Sequence, residues 1–189
     1  MKLFGSLTSP FVRKCRITAL EAGIDDKVTF VSTAVMGPAS GHPNPLNLIP
    51  SLLTDEGELI VDSRVICDYL QSFQSPAVTT DWADRTLLAL ADGMTDRAVS
   101  TTLELRRPEG ERSTDWIARW ADAISATVPE LEARIPDEFT PGAIALTCAL
   151  AYLDLRHDNL IWRDGHSALA EWYSAQQTRP SVAATEHPQ

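Results

Sequence analysis

Cysteine is scarce in this 189-residue sequence. Cys15, Cys67 and Cys148 are odd in number, widely spaced and without a CxxC pair. That argues against a disulfide framework and against a thiolate metal cage, and each reads as a small buried apolar residue. His42, His157, His166 and His187 stand at no metal-like spacing, so no metal is expected. Long apolar runs are missing as well. No window approaches the roughly 20 residues of a membrane span, and the opening MKLFGS has no extended apolar segment of the secretory kind, so a cytoplasmic location without membrane attachment is expected. Basic charge is in deficit: 16 Lys and Arg face 26 Asp and Glu, a net charge of −10. Such a balance argues against wrapping nucleic acid or docking on an anionic bilayer, and leaves small molecules and protein partners.

What is present is enough apolar material, 44% of residues, to bury a sizeable core. Over the first third, strand-like and helix-like patterns alternate. Lys2 to Gly5 reads as a strand, Pro10 to Ala22 as a helix closed by Gly23, and Lys27 to Val31 as a second, β-branched strand. Gly37, Pro38, Gly41, Pro43 and Pro45 mark a loop. Strands at Ser51 to Thr54 and Glu58 to Val61 flank Asp55-Glu56-Gly57 as a hairpin, and Asp62-Ser63 opens a helix running to about Phe73. Beyond residue 74 no strand pattern returns. Trp82 to Arg107, Arg112 to Arg134, Pro141 to Leu155 and His166 to Ala175 carry apolar residues at helical spacing. AIALTCALAYLDL is apolar on nearly every face, as a central bundle helix should be, with Thr140 and Pro141 as its cap and first position. Trp116 and Trp120, four apart, read as a packing stripe. The expected organisation is an α/β domain over 1–74, a linker over 75–80 and an all-helical domain over 81–189, with the polar tail from Thr178 lying along the surface.

Three short segments could carry chemistry. In SLTSPFVRK, Ser9 precedes a proline suited to the first helical position, so its side chain can cap the helix; the same junction gathers unpaired N–H groups and the positive end of a helix dipole, a setting that holds anions. Both readings can hold together. Ile49-Pro50 precedes a strand, and its proline implies a turn or edge; trans and cis peptides are both compatible with the spacing, trans being the commoner. Asp62-Ser63 offers a double cap or a binding pair.

Taken in order, SPFVRK after a first strand, NPLxxIPxL before a hairpin, DSRVICDYL opening the next helix and a Thr140-capped AIALTCALAYLDLR resemble a glutathione S-transferase, most nearly the short bacterial YibF-like group. The resemblance spans almost the whole chain. It implies a thioredoxin-like N-terminal domain followed by a helical bundle, a homodimer, and glutathione as cosubstrate for attack on a small apolar electrophile in detoxification. Peroxide reduction by the same thiolate, or a non-catalytic interaction module, are the alternatives. Ser9 then stands where a thioredoxin has the first cysteine of C-P-x-C. It would hold the glutathione thiolate by a hydrogen bond, Thr8 or Ser6 being next in line, and could not form a mixed disulfide. Phe11, Ile49, Pro50 as a cis-proline, Asp62 and Ser63 would complete the glutathione site, with Met94, Arg97 and Arg106 near the second substrate. Two departures stand out. Asn47-Leu48 replaces a Gly-Lys common in the family, which implies weak glutathione binding, and Ala143 replaces the acid that completes the capping box of the core helix.

Overall fold

The computed structural model describes residues 1–33, 43–74 and 81–188, so the expected linker at 75–80 and His42 lie outside the described residues. The chain divides into two compact units. The first contains β1 (Lys2–Gly5), α1 (Pro10–Glu21), β2 (Thr29–Ser32), β3 (Ser51–Leu53), β4 (Leu59–Ile60) and α2 (Ser63–Gln71). The strand order is β2-β1-β3-β4, with β1 parallel to β2 and antiparallel to β3, and β3 antiparallel to β4. Register places Leu3 opposite Leu52, and Leu52 opposite Ile60; these side chains join Val12, Cys15 and Ala19 of α1 and Ile66, Cys67 and Leu70 of α2 in one core. β2 begins two residues later than the sequence pattern suggests. The amides of Lys27 and Val28 are taken by the carbonyls of Ile24 and Asp25 in a short 3-10 turn, which removes them from the ladder.

The tail differs most from expectation. Arg179–Gln189 belongs with the first unit, and the second is confined to Asp81–Thr178, so the helical domain does not extend to residue 189. The segment forms α7 (Pro180–Ala183) and buries Ser181, Val182 and Thr185 instead of lying loosely on the surface. The cause is Arg13, 5% exposed, whose guanidinium finds acceptors in the Val182 carbonyl and the Thr185 hydroxyl.

The second unit contains α3 (Trp82–Leu105), α4 (Thr114–Glu132), α5 (Pro141–Arg156) and α6 (Ser167–Gln177). Every residue of α5 from Gly142 to Leu153 is buried, as its unbroken apolar sequence requires. Leu87, Ala91, Met94 and Ala98 of α3, Ile124, Val128 and Leu131 of α4, and Leu169 and Tyr173 of α6 complete the core. Among the described residues no helix is long and apolar enough to cross a membrane.

A helix this buried cannot leave its first amides to water. Thr140 caps it by accepting from the Ala143 amide at 3.2 Å. The acid missing at Ala143 is supplied from α3: Asp84 Oδ1 accepts from the Gly142 amide at 3.0 Å and from the Thr140 hydroxyl. Thr140 is therefore not the sole side-chain cap, and an acid at position 143, itself fully buried, would be redundant and uncompensated. Asp84 comes so close that a Cβ on Gly142 would meet its Oδ1 and sit 2.8 Å from its backbone oxygen. We expect Gly142→Ala to destabilise by about 1–3 kcal/mol, against the usual gain of Ala over Gly in a helix. Thr140→Ala should cost about 0.5–2 kcal/mol. Ala143→Asp should destabilise as well. Denaturant melts check all three, and a Gly142→Ala protein at least as stable as the parent would contradict the arrangement.

Beyond the C-terminus of α5, His157 is buried with Nε2 2.8 Å from the Ala98 carbonyl and 3.0 Å from the Thr102 hydroxyl, which also accepts from Tyr152 at 3.2 Å. Because a carbonyl only accepts, Nε2 carries the proton. Burial pushes the imidazole pKa below its ordinary value, the Ala98 carbonyl partly opposes this, and Arg156 adds to the lowering. With the folded value depressed, the unfolded chain binds the extra proton first. Stability is thus complete above the ordinary histidine range and is lost as pH falls below about 6.5. His157→Gln, which keeps an N–H donor, should flatten that slope; melts between pH 5 and 8 that show equal slopes in both proteins would refute it.

Candidate functional site

The topology brings the three segments singled out in the sequence to one end of the sheet's strands. β1 and β3 are antiparallel, so the C-terminal end of β1, which leads to Ser9, adjoins the start of β3 and Pro50. β3 and β4 are antiparallel too, which sets the end of β4, and hence Asp62-Ser63, beside that same start. α1 and α2 pack together, with Cys15 Sγ 3.8 Å from the Ser63 carbonyl.

At the first segment, Gly5 allows α1 to lie close to β1: a Cβ there would collide with Val12 and come within 3.2 Å of its second methyl. The turn from 6 to 9 is tied by the Ser9 amide on the Ser6 carbonyl at 3.0 Å, while the Ser6 and Thr8 hydroxyls engage one another at 3.0 Å. Ser9 Oγ accepts from the Val12 amide at 3.3 Å and caps α1. A cap of this kind uses a lone pair and leaves the hydroxyl proton to donate elsewhere. Pro10 has no N–H, and among the described residues no acceptor meets the Phe11 amide. The first turn contains no acid, whereas Arg13, Lys14 and Arg16 follow on the same helix. Lys14 Nζ lies 5.8 Å from the centre of the Phe11 ring, and Phe11 itself is half-buried. Burial, and then the charge of Arg13, lower the Arg16 pKa, as expected where like charges crowd. An open amide, a free hydroxyl proton and a helix N-terminus with no acid in its first turn form a setting for an anion.

At the second, the Ile49-Pro50 peptide is cis; Pro50 is buried and Ile49 half-buried. The preceding loop is shaped by Asn44, 6% exposed, which donates to the Leu48 carbonyl at 2.8 Å and accepts from the Leu46 amide at 3.0 Å. Sequence reasoning passed over Asn44, although Asn-Pro is a turn-initiating pair. Leu48 is exposed, so the position keeps the accessibility a lysine would need. At the third, Asp62 caps α2 by accepting from the Arg64 amide at 2.9 Å, with the Arg64 side chain 3.4 Å from its other oxygen. Asp62 is exposed and open to a second cation; Ser63 is the buried first residue of the helix.

Met94, Arg97 and Arg106 are not brought together. Met94 is 2% exposed in the core of the second unit, so it presents no open surface there. Arg97 and Arg106, the latter at the C-cap of α3, are exposed, but they stand nine positions apart, about 13 Å along the helix axis, on opposite faces.

Comparison with known proteins agrees with the two-unit fold. The glutathione S-transferase N-terminal domain matches residues 8–72 and the C-terminal domain matches residues 114–175. An uncharacterized GST-like protein of Escherichia coli, YibF, is 33% identical, covering 100% of this chain and 99% of its own. Among solved structures, a glutathione transferase family member from Pseudomonas fluorescens Pf-5, with bound S-(propanoic acid)-glutathione, is 36% identical with a TM-score of 0.91 over 100% of both chains. A glutathione S-transferase from Methylobacillus flagellatus KT, with glutathione bound, is 34% identical with a TM-score of 0.89 over 99% of both chains.

Proposed function

Because the chain belongs to the glutathione S-transferase superfamily, we propose that it binds glutathione where β1, β3 and β4 converge and directs its thiolate at a small apolar electrophile. The observation that carries this reading is the division of labour at Ser9, whose lone pair caps α1 while its proton remains to donate. A thiol with a pKa near 8.5 is only a few per cent ionised at pH 7, and each unit of depression corresponds to about 1.4 kcal/mol of thiolate preference. The Ser9 hydroxyl, the Phe11 amide and the dipole of α1 would supply that preference together. The backbone of Ile49, presented by Pro50, would pair with the cysteinyl part of the tripeptide. Asp62 would meet the γ-glutamyl ammonium, and the start of α2 at Ser63 its carboxylate. The sulfur–carbon bond then forms as the leaving group departs from the electrophile, and no metal takes part. The Pseudomonas fluorescens relative holds both glutathione and a thioether of it, which supports a site that accepts substrate and conjugate alike.

Leu48 in place of a lysine favours weak binding, since a missing charge-assisted bond is worth about 1.5–3 kcal/mol. That feature also keeps a non-catalytic binding module as the second reading; peroxide reduction would use the same thiolate. We further propose that the protein works as a cytoplasmic homodimer. Light scattering at micromolar concentration should give twice the chain mass of 20.7 kDa, and a monomer would end that part of the reading.

Substitution of Ser9 tests the reading. Ser9→Gly should cost only a few tenths of a kcal/mol in stability, because glycine is an acceptable cap. Conjugation should slow about tenfold to a hundredfold through loss of the donor. Ser9→Cys should open mixed-disulfide exchange with glutathione. A pH–rate profile with a generic electrophile and with peroxide, beside a thermal melt, reads all of this. Full activity and an unshifted thiol pKa in Ser9→Gly would reduce Ser9 to a cap and pass the donor role to Thr8 or Ser6.

A further inference from the structure

The helix that carries Ser9 is held along its length by the last residues of the chain. Glu21, at the end of α1, accepts from Arg179 Nη2 at 3.1 Å and from the Ser181 hydroxyl. Arg16 Nη2 donates to the Ala184 carbonyl at 3.4 Å. Arg13 Nη2 donates to the Val182 carbonyl at 3.2 Å, and its Nε donates to the Thr185 hydroxyl at 3.4 Å. Finally, His187 Nδ1 lies 3.0 Å from the Leu7 carbonyl, so Nδ1 carries the proton of that bond.

These contacts bracket Ser9. Leu7 lies two residues before it, in the turn that leaves β1; Arg13 lies one helical turn after it, with its amide on the Ser9 carbonyl at 3.0 Å. One segment therefore fixes both flanks. The hold is not a surface embellishment, because Arg13 is 5% exposed and Thr185 fully buried, and a buried guanidinium deprived of acceptors forces its helix to shift until water reaches it. Within the turn, the Ser6–Thr8 hydroxyl pair and the Ser9 amide link residues to one another, whereas His187 ties the turn to a separate part of the unit. A donor that must meet a sulfur anion is sensitive to placement on the scale of an ångström.

We propose that Arg179–His187 is a positioning element of the glutathione site: by holding the Leu7 carbonyl and the Arg13 guanidinium it sets the conformation of the Ser6–Ser9 turn and the aim of the Ser9 hydroxyl, with His187 and Arg13 as positioning residues. The role of this aim in thiolate binding rests on the reading of Ser9 given above; the hold on the turn does not.

His187 suits the test because it is only half-buried near the chain end, where substitution leaves the core intact. In the full chain, His187→Ala should lower kcat/KM with glutathione about threefold to tenfold and raise the pKa of bound glutathione, read from thiolate absorbance, by about half a unit to one unit, at an unchanged melting midpoint. His187→Asn, whose amide N–H stands where Nδ1–H stood, should restore both. Thr185→Val should act in the same direction by removing an acceptor of Arg13; should that variant fail to fold, the His187 pair decides alone. Unchanged kcat/KM and thiol pKa in His187→Ala, while the unaltered protein binds glutathione, overturn the proposal. If the unaltered protein does not bind glutathione at millimolar concentration, the reading of the site fails separately. Amide hydrogen exchange over residues 7–13 then decides the hold: faster exchange in His187→Ala than in the parent sustains it, and equal exchange overturns it.

Discussion

The seating of α1 against β1 is the constraint on which the first unit depends. Bare backbone at Gly5 lets Val12 press onto the end of the strand, and α1 is consequently buried well beyond its sheet-facing stripe, including Arg13, Lys14 and Thr18. Polar groups on a helix so enclosed must be satisfied by protein. Thr18 returns its hydroxyl to the Lys14 carbonyl at 2.9 Å, and Arg13 reaches the tail. The position of the C-terminal segment thus follows from an approach set at residue 5, and both ends of the chain contribute to placing one serine.

Charge is distributed against the average. The first helix of this acidic chain of net charge −10 carries three cations before its first acid, Glu21. One strand pair away, α2 opens with Asp62, whose carboxylate faces solvent. That end of the sheet therefore offers an anion-favouring helix end beside a cation-favouring carboxylate, a complement for a zwitterionic peptide that carries a thiolate.

The features legible in the sequence are those whose physics is local. β1 and the caps at Ser9, Asp62 and Thr140 fall where expected, because a cap bonds amides two or three residues away and the signal is complete within one turn. The four long helices agree to within two residues, their apolar spacing being imposed by a bundle core. What escaped is carried over distance. Asp84 completes the cap of α5 from 58 residues before Gly142, and Arg179 meets Glu21 across a separation of 158. Neither partner looks unusual in its own window. Met94 was named from the resemblance and not from any pattern in its own window, and its side chain lies in the bundle core.

The N-termini of α1 and α5 show how one capping chemistry serves two ends. Each begins with a hydroxyl residue, then proline, with the hydroxyl accepting from the amide three residues on. At α5 the remaining amide of Gly142 meets the Asp84 carboxylate, which also takes the Thr140 proton; dipole, donor and hydroxyl are all discharged by protein groups at that half-buried end. At α1 the corresponding amide, Phe11, has no acceptor among the described residues; the first turn holds no acid, and the Ser9 proton is left over from the cap. The same local sequence is therefore closed where an acid from a neighbouring helix reaches it and open where none does. A helix start becomes a place for a ligand's anion through what the surrounding fold withholds, more than through the identity of the capping residue.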